Sequence, residues 1–314
     1  MQEFYGTLAI LLLSLLVLYK SSEWVIKHAV VLARFFRISE LAVGFLLISV
    51  ATSLPELFVA VLAALTGQTG ISVGNVLGAN ISDVSLVLGA SAAVGVIRVK
   101  KKELVSLTGM LLAASLLPFI IFLHVIDSTV GVLLLAFFVA FAYFVLKKKV
   151  RLESTEEAVH PRQAVESAFF FCFAIAVVVA SAKFVVDSAV DFALLAGVSK
   201  AFVAGTIVSM GTTIPELTVS LVAMKRGHSQ LALGNVIGSC ITNLTLVLGV
   251  ASLLTPLSAN PRAFAILLAF LVFINAVLWR AMVRKRLLAR SEGILLLGIY
   301  ALFLIIATLV ELRW

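Results

Sequence analysis

Three acidic residues, Glu56, Asp83 and Glu216, lie inside long apolar stretches of this 314-residue chain. A charge near the centre of a lipid bilayer costs at least about 2.5–3.5 kcal/mol. Three neighbouring carboxylates would also repel one another, and no Lys or Arg of these stretches lies at the same depth to balance them. The compensating charge is therefore expected to be a bound cation.

Neutral oxygen donors stand next to these acids in the sequence. The candidate ligands for the cation are Ser49, Thr52, Ser53, Glu56, Asp83, Ser209, Thr212, Thr213 and Glu216. Carboxylate, hydroxyl and amide oxygens, without His or a pair of thiolates, suit Ca²⁺ or Na⁺ rather than zinc or copper. Pro55 and Pro215 lie mid-span and should break their helices, which adds freed backbone carbonyls to the donor set.

The charge of the site indicates exchange of one cation for another. With all three acids ionised the site carries three negative charges. One Ca²⁺ would leave a single charge for a proton, and three Na⁺ would neutralise the whole set. Protonation of the carboxylates could also release the cation. The residues alone therefore leave Na⁺ and H⁺ open as the counter-ion.

Composition predicts an all-α integral membrane protein. Hydrophobic residues make up 62% of the chain and charged residues 13%, against roughly 45–50% and about 25% in soluble domains. The net charge of +8 resides mainly in short loops, so it sets topology and does not indicate a nucleic-acid partner. Cys172 and Cys240 both lie in apolar runs, which argues against a disulfide framework or a zinc cluster. No cofactor is expected.

Ten transmembrane helices are predicted, with loose boundaries. They cover residues 4–33, 39–65, 71–97, 104–123, 126–147, 164–195, 199–225, 230–255, 260–283 and 290–311. Most Lys and Arg fall in the loops that follow predicted helices 1, 3, 7 and 9 and in the linker 148–163, which follows helix 5. The positive-inside rule then places that linker in the cytoplasm and both termini outside the cell membrane.

An internal repeat divides the chain in two. The segments 44–89 and 204–249 match in one constant register without a gap, and both contain a Pro-Glu pair followed by a Gly-Asn-Val-x-Gly segment. Each half, residues 1–147 and 164–314, carries five predicted helices, an odd number. The halves are therefore expected to be inverted repeats, with broken helices 2 and 7 at a midplane ion site.

At these motifs the chain resembles the cation/Ca²⁺ exchanger superfamily, and most of all its compact prokaryotic Na⁺/Ca²⁺ exchangers. The resemblance implies Ca²⁺ bound between Glu56, Glu216, Thr52 and Thr212. It implies one Na⁺ site formed by the Ser49 carbonyl, Ser53, Glu56 and Ser239. It implies a second formed by the Ser209 carbonyl, Thr212 and Glu216. It also implies that helices 1 and 6 slide together to alternate access to the site, in a protein that functions as a monomer.

Two positions depart from the family pattern. Ala79 replaces the hydroxyl usual in the first repeat, although its counterpart Ser239 is present. The acid and amide deep in the site are exchanged, with Asp83 in the first repeat and Asn243 in the second. Both departures leave the ion preference of the site open.

Three other functions compete with Na⁺/Ca²⁺ antiport. An H⁺/Ca²⁺ exchanger would use the same carboxylates. A passive cation channel would also place acids in the membrane, but broken inverted repeats favour a transporter. An intramembrane enzyme lacks support because the chain contains no His-Glu-x-x-His motif.

Overall fold

The computed structural model describes most of the chain as helix. The described residues are 2–36, 39–67, 69–98, 109, 111–116, 125–147, 159–195, 209–258, 261–285 and 287–311. Most of the predicted fourth helix (104–123), the first part of the seventh (199–208) and most of the linker lie outside them. Helix 6 begins at Pro161, earlier than predicted, because proline fits the first turn of a helix.

The elements of the first half are α1 (Gln2–Phe36), α2 (Glu40–Val43), the π-helical turn π1 (Gly44–Ile48), α3 (Ser49–Thr52), α4 (Leu54–Leu65), α5 (Thr69–Ser82), π2 (Asp83–Val87), α6 (Leu88–Val94), β1 (Ile97–Arg98) and α7 (Ser128–Lys147). Those of the second half are α8 (Pro161–Leu195), α9 (Ser209–Thr212), α10 (Ile214–Lys225), α11 (Ser229–Thr242), π3 (Asn243–Val247), α12 (Leu248–Leu254), α13 (Pro261–Lys285), β2 (Leu287–Leu288) and α14 (Arg290–Glu311).

Membrane-spanning length and apolar character recur along the chain. Within the described ranges, 6 helices are long and apolar enough to cross a membrane, or up to 7 when the bent pair Glu40–Thr52 and Leu54–Leu65 counts as one span. A multi-pass helical membrane protein follows from this, as composition predicted.

The two halves share one architecture. The run from α4 to α6 and the run from α10 to α12 begin and end their elements at equivalent positions of the repeat, including the turns π2 and π3. The halves also pack into each other, since α6 contacts α14 and α12 contacts α7. Ile97 pairs with Leu288, and Ile126 with Leu257, so each half supplies one partner of both short pairings.

The centre of the molecule is formed by the third helix of each half. In the spans Ser72–Val94 and Ser229–Leu254, 83% of the apolar stretch is buried, against 22% in Ser128–Leu146 and 33% in Leu267–Arg284. The outer helices expose large apolar side chains, among them Leu133 and Phe169. Lipid is the solvent that suits such surfaces, so polar groups on the central helices are shielded from it.

Glycine permits a close helix contact between the halves. A Cβ on Gly44 would collide with the backbone oxygen of Leu231, and one on Gly238 would meet the backbone oxygen of Phe45 and the Ser49 hydroxyl, both at 2.5 Å. Small residues let helix backbones approach in this way in membranes. The approach brings π1 and α3 of the first half against α11 of the second.

The two longest helices, α1 and α8, pack against each other outside this centre. Near the middle of α1, Glu23 accepts from Arg226 at 2.8 Å and from Lys20 at 3.3 Å. Arg226 directly follows α10, so this ion pair joins the long helix pair to the central bundle. Both cations are well exposed, and such pairs contribute little to stability.

Candidate ion-binding site

Each broken helix presents a glutamate at the start of its second segment. The axis bends by 43° between Glu40–Thr52 and Leu54–Leu65, with Ser53 at the break. Proline follows within the first two positions of α4 and of α10, and Glu56 and Glu216 lie in those first turns. The positive end of the helix dipole favours a negative charge there. The predicted breaks beside Pro55 and Pro215 are confirmed.

The carboxyl group of Glu216 is ringed by hydroxyls. Its Oε1 accepts from the Ser53 hydroxyl at 3.3 Å and from the Ser239 hydroxyl at 3.4 Å. The Thr52 hydroxyl also faces this carboxyl group. Glu216 is only 1% exposed, and its Oε2 has no hydrogen-bond partner. One oxygen of this buried acid is thus left available for a ligand.

The carboxyl group of Glu56 has a sparser surrounding. The Thr212 hydroxyl faces it, and the position corresponding to Ser239 is Ala79, which is fully buried and offers no side-chain oxygen. Glu56 is 1% exposed, and its Oε2 also lacks a partner. Hydroxyls of one broken helix therefore face the glutamate of the other: Thr212 faces Glu56, whereas Thr52 and Ser53 face Glu216.

The resemblance implied Ser53 and Ser239 beside Glu56, and Thr212 beside Glu216. In the structure Ser53 and Ser239 donate to Glu216, and Thr212 faces Glu56. The grouping around bound ions stays a prediction. Ser53 and Thr212 reach across the contact between the halves, whereas Ser239 belongs to the same half as Glu216.

Two asparagines fix the backbone at the breaks. The Asn75 side-chain amide donates to the Glu56 backbone oxygen at 3.4 Å, and that of Asn235 donates to the Glu216 backbone oxygen at 3.4 Å. The Asn235 amide also donates to Ser220 at 3.0 Å, and its oxygen accepts from Thr52 at 3.2 Å. Each asparagine thus ties the third helix of its half to the first turn that carries the glutamate.

Asp83 and Asn243 begin the π-helical turns of the two central helices. Both are fully buried, and Asp83 Oδ1 and both side-chain polar atoms of Asn243 lack hydrogen-bond partners. The Asp83 carboxyl group is close enough to those of Glu56 and Glu216 for electrostatic interaction. The three acids predicted to share a site therefore do lie in one region.

The remaining candidates are divided between backbone and side-chain roles. The Ser49 backbone oxygen accepts from the Ser53 amide at 3.0 Å, and the Ser49 hydroxyl donates to the Phe45 backbone oxygen. Thr213 stands at the second break with an unpartnered, buried hydroxyl. Ser209 begins α9, and its side chain lies outside the described part of the structure.

The donor set is one of oxygens rather than of soft or imidazole ligands. Among the described residues, no three His, Cys, Asp or Glu come together as a ready-made metal cluster. Two glutamates with unpartnered oxygens and several hydroxyls lie at the breaks instead. Such a set fits a hard cation that uses carboxylate and neutral oxygens.

Comparison with known proteins identifies the family. The sequence matches the family described as sodium/calcium exchanger protein over residues 6–147 and 166–309. The chain belongs to the sodium/calcium exchanger family. The two matched segments leave out the whole linker, and the second begins within α8.

Exchanger relatives match along nearly the whole chain. The membrane protein MJ0091 of Methanocaldococcus jannaschii is 33% identical, over 92% of this chain and 94% of the relative. The sodium/calcium exchanger MaX1 of Methanosarcina acetivorans is 28% identical, over 95% of this chain and 97% of the relative. This breadth of match identifies a transporter of the exchanger family.

The fold also matches a solved exchanger structure. The sodium-calcium exchanger NCX_Mj, soaked with 10 mM Na⁺ and zero Ca²⁺, superposes with a TM-score of 0.84 at 30% sequence identity. The match covers 95% of this chain and 98% of that one. The helical arrangement around the site is therefore an exchanger fold.

Sequence reasoning missed the π-helical turns and the two backbone-fixing asparagines as a group. A signal for the turns exists in retrospect: each is accompanied by a hydroxyl that donates to the backbone oxygen four residues earlier. These pairs are Ser49 with Phe45, Ser85 with Ile81 and Thr245 with Ile241. Such back-bonding bends helices, and π-helical turns are frequent at functional sites.

Proposed function

We propose that this protein is a secondary active antiporter that exchanges Ca²⁺ for Na⁺ across the cell membrane by alternating access. The single observation that carries the proposal is the pair of buried glutamates, each with one unpartnered carboxylate oxygen at the start of a broken helix. Membership of the exchanger family and the likeness to MaX1 and NCX_Mj add support.

The proposed architecture is the ten-helix arrangement of two inverted five-helix repeats. The equivalent element bounds in the two copies of the repeat support it, as does the odd number of helices predicted in each half. With this arrangement both termini face outward and the linker is cytoplasmic. The ion site then lies near the membrane midplane, between the two broken helices.

The proposed Ca²⁺ ligands are the carboxylates of Glu56 and Glu216 with the hydroxyls of Thr52 and Thr212. Ca²⁺ takes 6–8 oxygens at flexible geometry, so further oxygens from the same breaks would complete its shell. Removing the ion would leave two uncompensated carboxylates in a buried site, which is costly unless other cations or protons replace it. This cost couples the exit of Ca²⁺ to the entry of another cation.

Sodium is the counter-ion that the hydroxyl pattern favours. Ser53 and Ser239 both approach one oxygen of Glu216. That carboxylate oxygen and the two hydroxyl oxygens together provide three hard donors for a small cation. Glu56 with Thr212 provides a second, smaller group. Asp83 supplies the third negative charge, so three Na⁺ would balance the whole set.

Alternation of access would use the helix pair α1 and α8. These two helices pack against each other outside the central helices, so they would slide as a unit past the broken helices. Sliding past the broken helices would open the site first to one side of the membrane and then to the other.

The test is ⁴⁵Ca²⁺ uptake into proteoliposomes that are loaded with Na⁺ and diluted into Na⁺-free medium at equal pH. Uptake that requires the outward Na⁺ gradient is expected. Uptake that instead requires a pH gradient would replace Na⁺ by H⁺, with Asp83 as the proton carrier, since its buried carboxylate oxygen Oδ1 is unpartnered. Uptake without any counter-ion gradient dependence would indicate a passive channel and contradict antiport.

A further inference from the structure

A cysteine lies against the buried acid of the first half. The Cys240 sulfur is 3.9 Å from Asp83 Oδ2 and 4.0 Å from the Asn80 backbone oxygen. All three residues are at most 1% exposed. Asn80, Asp83 and Cys240 are called the thiol cluster below.

The thiol cluster contains polar atoms that have no partner. Asp83 Oδ1 and both side-chain polar atoms of Asn80 are buried without a hydrogen bond. Burying such a group unsatisfied is costly, and more so when the group is charged. Asp83 Oδ2 accepts from the Cys240 thiol, whereas Oδ1 has no partner. A carboxylate with one open oxygen beside a thiol points to a ligand that binds both groups.

The internal repeat shows that the thiol is found in only one of its two copies. Cys240 occupies the position of the second copy that corresponds to Asn80 in the first. One half thus carries an amide, a hard donor, where the other carries sulfur. Thiolates select soft metal ions, whereas carboxylate and carbonyl oxygens accept hard ones. The combination of sulfur with carboxylate suits a soft divalent cation.

We propose that the thiol cluster binds a soft divalent cation of about the size of Ca²⁺, for which Cd²⁺ is the probe, through the Cys240 sulfur and the Asp83 carboxylate. The thiolate is the metal-binding form of cysteine, so the thiol proton leaves to solvent when the cation binds. The bound cation blocks exchange because Asp83 is then no longer free for Ca²⁺ or Na⁺. The block rests on the proposed function, whereas the binding does not.

The test uses the full-length protein with Cys172→Ala, which removes the exposed cysteine on α8. Cd²⁺ is titrated while the ultraviolet charge-transfer absorption of the cadmium–thiolate bond and the release of protons are followed. We expect a saturable band accompanied by the release of one proton per bound ion. In the matched variant Cys172→Ala/Cys240→Asn, which copies the first half, the band disappears and Cd²⁺ affinity falls at least about tenfold.

Absence of the band in the Cys172→Ala protein would overturn the proposal. A band and an affinity that survive Cys240→Asn would overturn it as well. Cys240→Ser provides the same comparison with a smaller side chain, and a cooperative thermal transition establishes that each variant is folded. Asp83→Asn should weaken Cd²⁺ binding while the thiolate band is retained.

The transport assay separates this proposal from the proposed function. Cd²⁺ should inhibit Na⁺-driven ⁴⁵Ca²⁺ uptake at concentrations at least about tenfold lower with Cys240 than with Asn at that position, each relative to its own uptake without Cd²⁺. A thiolate band without any Na⁺-driven Ca²⁺ uptake would refute the proposed function and leave the thiol cluster in place. Normal uptake without the thiolate band would refute metal binding at the thiol cluster and leave the proposed function in place.

Discussion

The two halves of the protein have the same backbone plan and different site chemistry. Both break before a Pro-Glu pair, and both carry a π-helical turn at the equivalent position. Yet Glu216 receives two hydroxyl hydrogen bonds, from Ser53 and Ser239, while the first half has Ala79 where the second has Ser239. A repeat can therefore keep its fold while its two copies divide the ligands unequally.

The deep acid shows the same division. Asp83 begins π2, and an amide, Asn243, begins π3. The third negative charge therefore belongs to the first half. The carboxylate that has two hydroxyls beside it, and so can best replace the hydration shell of an ion, is Glu216 of the second half. The two halves therefore contribute unequally to the set of oxygen donors.

Among the differences between the halves, the largest effect is expected from removing the third charge. Asp83→Asn leaves the site with two carboxylates and should lower Na⁺-driven ⁴⁵Ca²⁺ uptake by about tenfold or more. The reason is that a change in the balance of charges in a buried site has a large effect on the free energy of cation binding. Adding Asn243→Asp moves the acid to the other half and should restore part of the uptake. If the double variant is no better than Asp83→Asn, the position of the acid matters and not only its number.

The next effect concerns the contact between the halves. Gly238→Ala would force a Cβ against the Phe45 backbone oxygen and Ser49, and overpacking of this kind costs about 1–3 kcal/mol. Thermal unfolding in detergent should show a lower midpoint for this variant. Gly298→Ala is the matched control, because a Cβ there has nothing within 4 Å. Equal midpoints for the two variants would contradict the close approach.

The unequal hydroxyls give a smaller effect with a definite sign. Ser239→Ala removes one donor from Glu216 and should raise the Na⁺ concentration for half-maximal exchange several-fold, in line with about 1 kcal/mol for one hydrogen bond. Ala79→Ser gives Glu56 the missing hydroxyl and should lower that concentration. The measurement is the Na⁺ dependence of ⁴⁵Ca²⁺ efflux. A shift in the same direction for both variants would contradict the comparison.

The smallest effect is expected at the ion pair between Arg226 and Glu23. The position corresponding to Glu23 in α8 is Lys183, so the pair is not repeated in the second half. Glu23→Gln should leave the free energy of unfolding essentially unchanged, because exposed ion pairs contribute little. Chemical denaturation of the reconstituted protein measures this free energy. A clear loss of stability would mean that the ion pair holds α1 onto the bundle.

Much of the fold follows from sequence because lipid imposes simple rules. Apolar runs located the described spans, and Pro55 and Pro215 located the breaks, since proline removes a backbone donor. The constant register of the two repeat copies then related the halves without any structure. These signals are local or periodic, which is why a single sequence reveals them.

The site was less predictable because its contacts join residues distant in sequence. That Ser53 donates to Glu216, 163 positions away, depends on how the halves cross at Gly44 and Gly238. No local pattern encodes this crossing. The contact between Cys240 and Asp83, 157 positions apart, was hidden for the same reason, and Cys240 was interpreted only as a small apolar residue. The π-helical turns could not be predicted either, because they neither interrupt an apolar run nor change the local composition.

The central claim is that Glu56 and Glu216 together hold the exchanged Ca²⁺. Na⁺-driven ⁴⁵Ca²⁺ uptake by Glu56→Gln and by Glu216→Gln, reconstituted at the same protein density as the unmodified chain, tests it most directly. The account predicts that uptake is abolished in both variants while each elutes as a folded, monodisperse protein. Uptake at the unmodified level in either variant would contradict it.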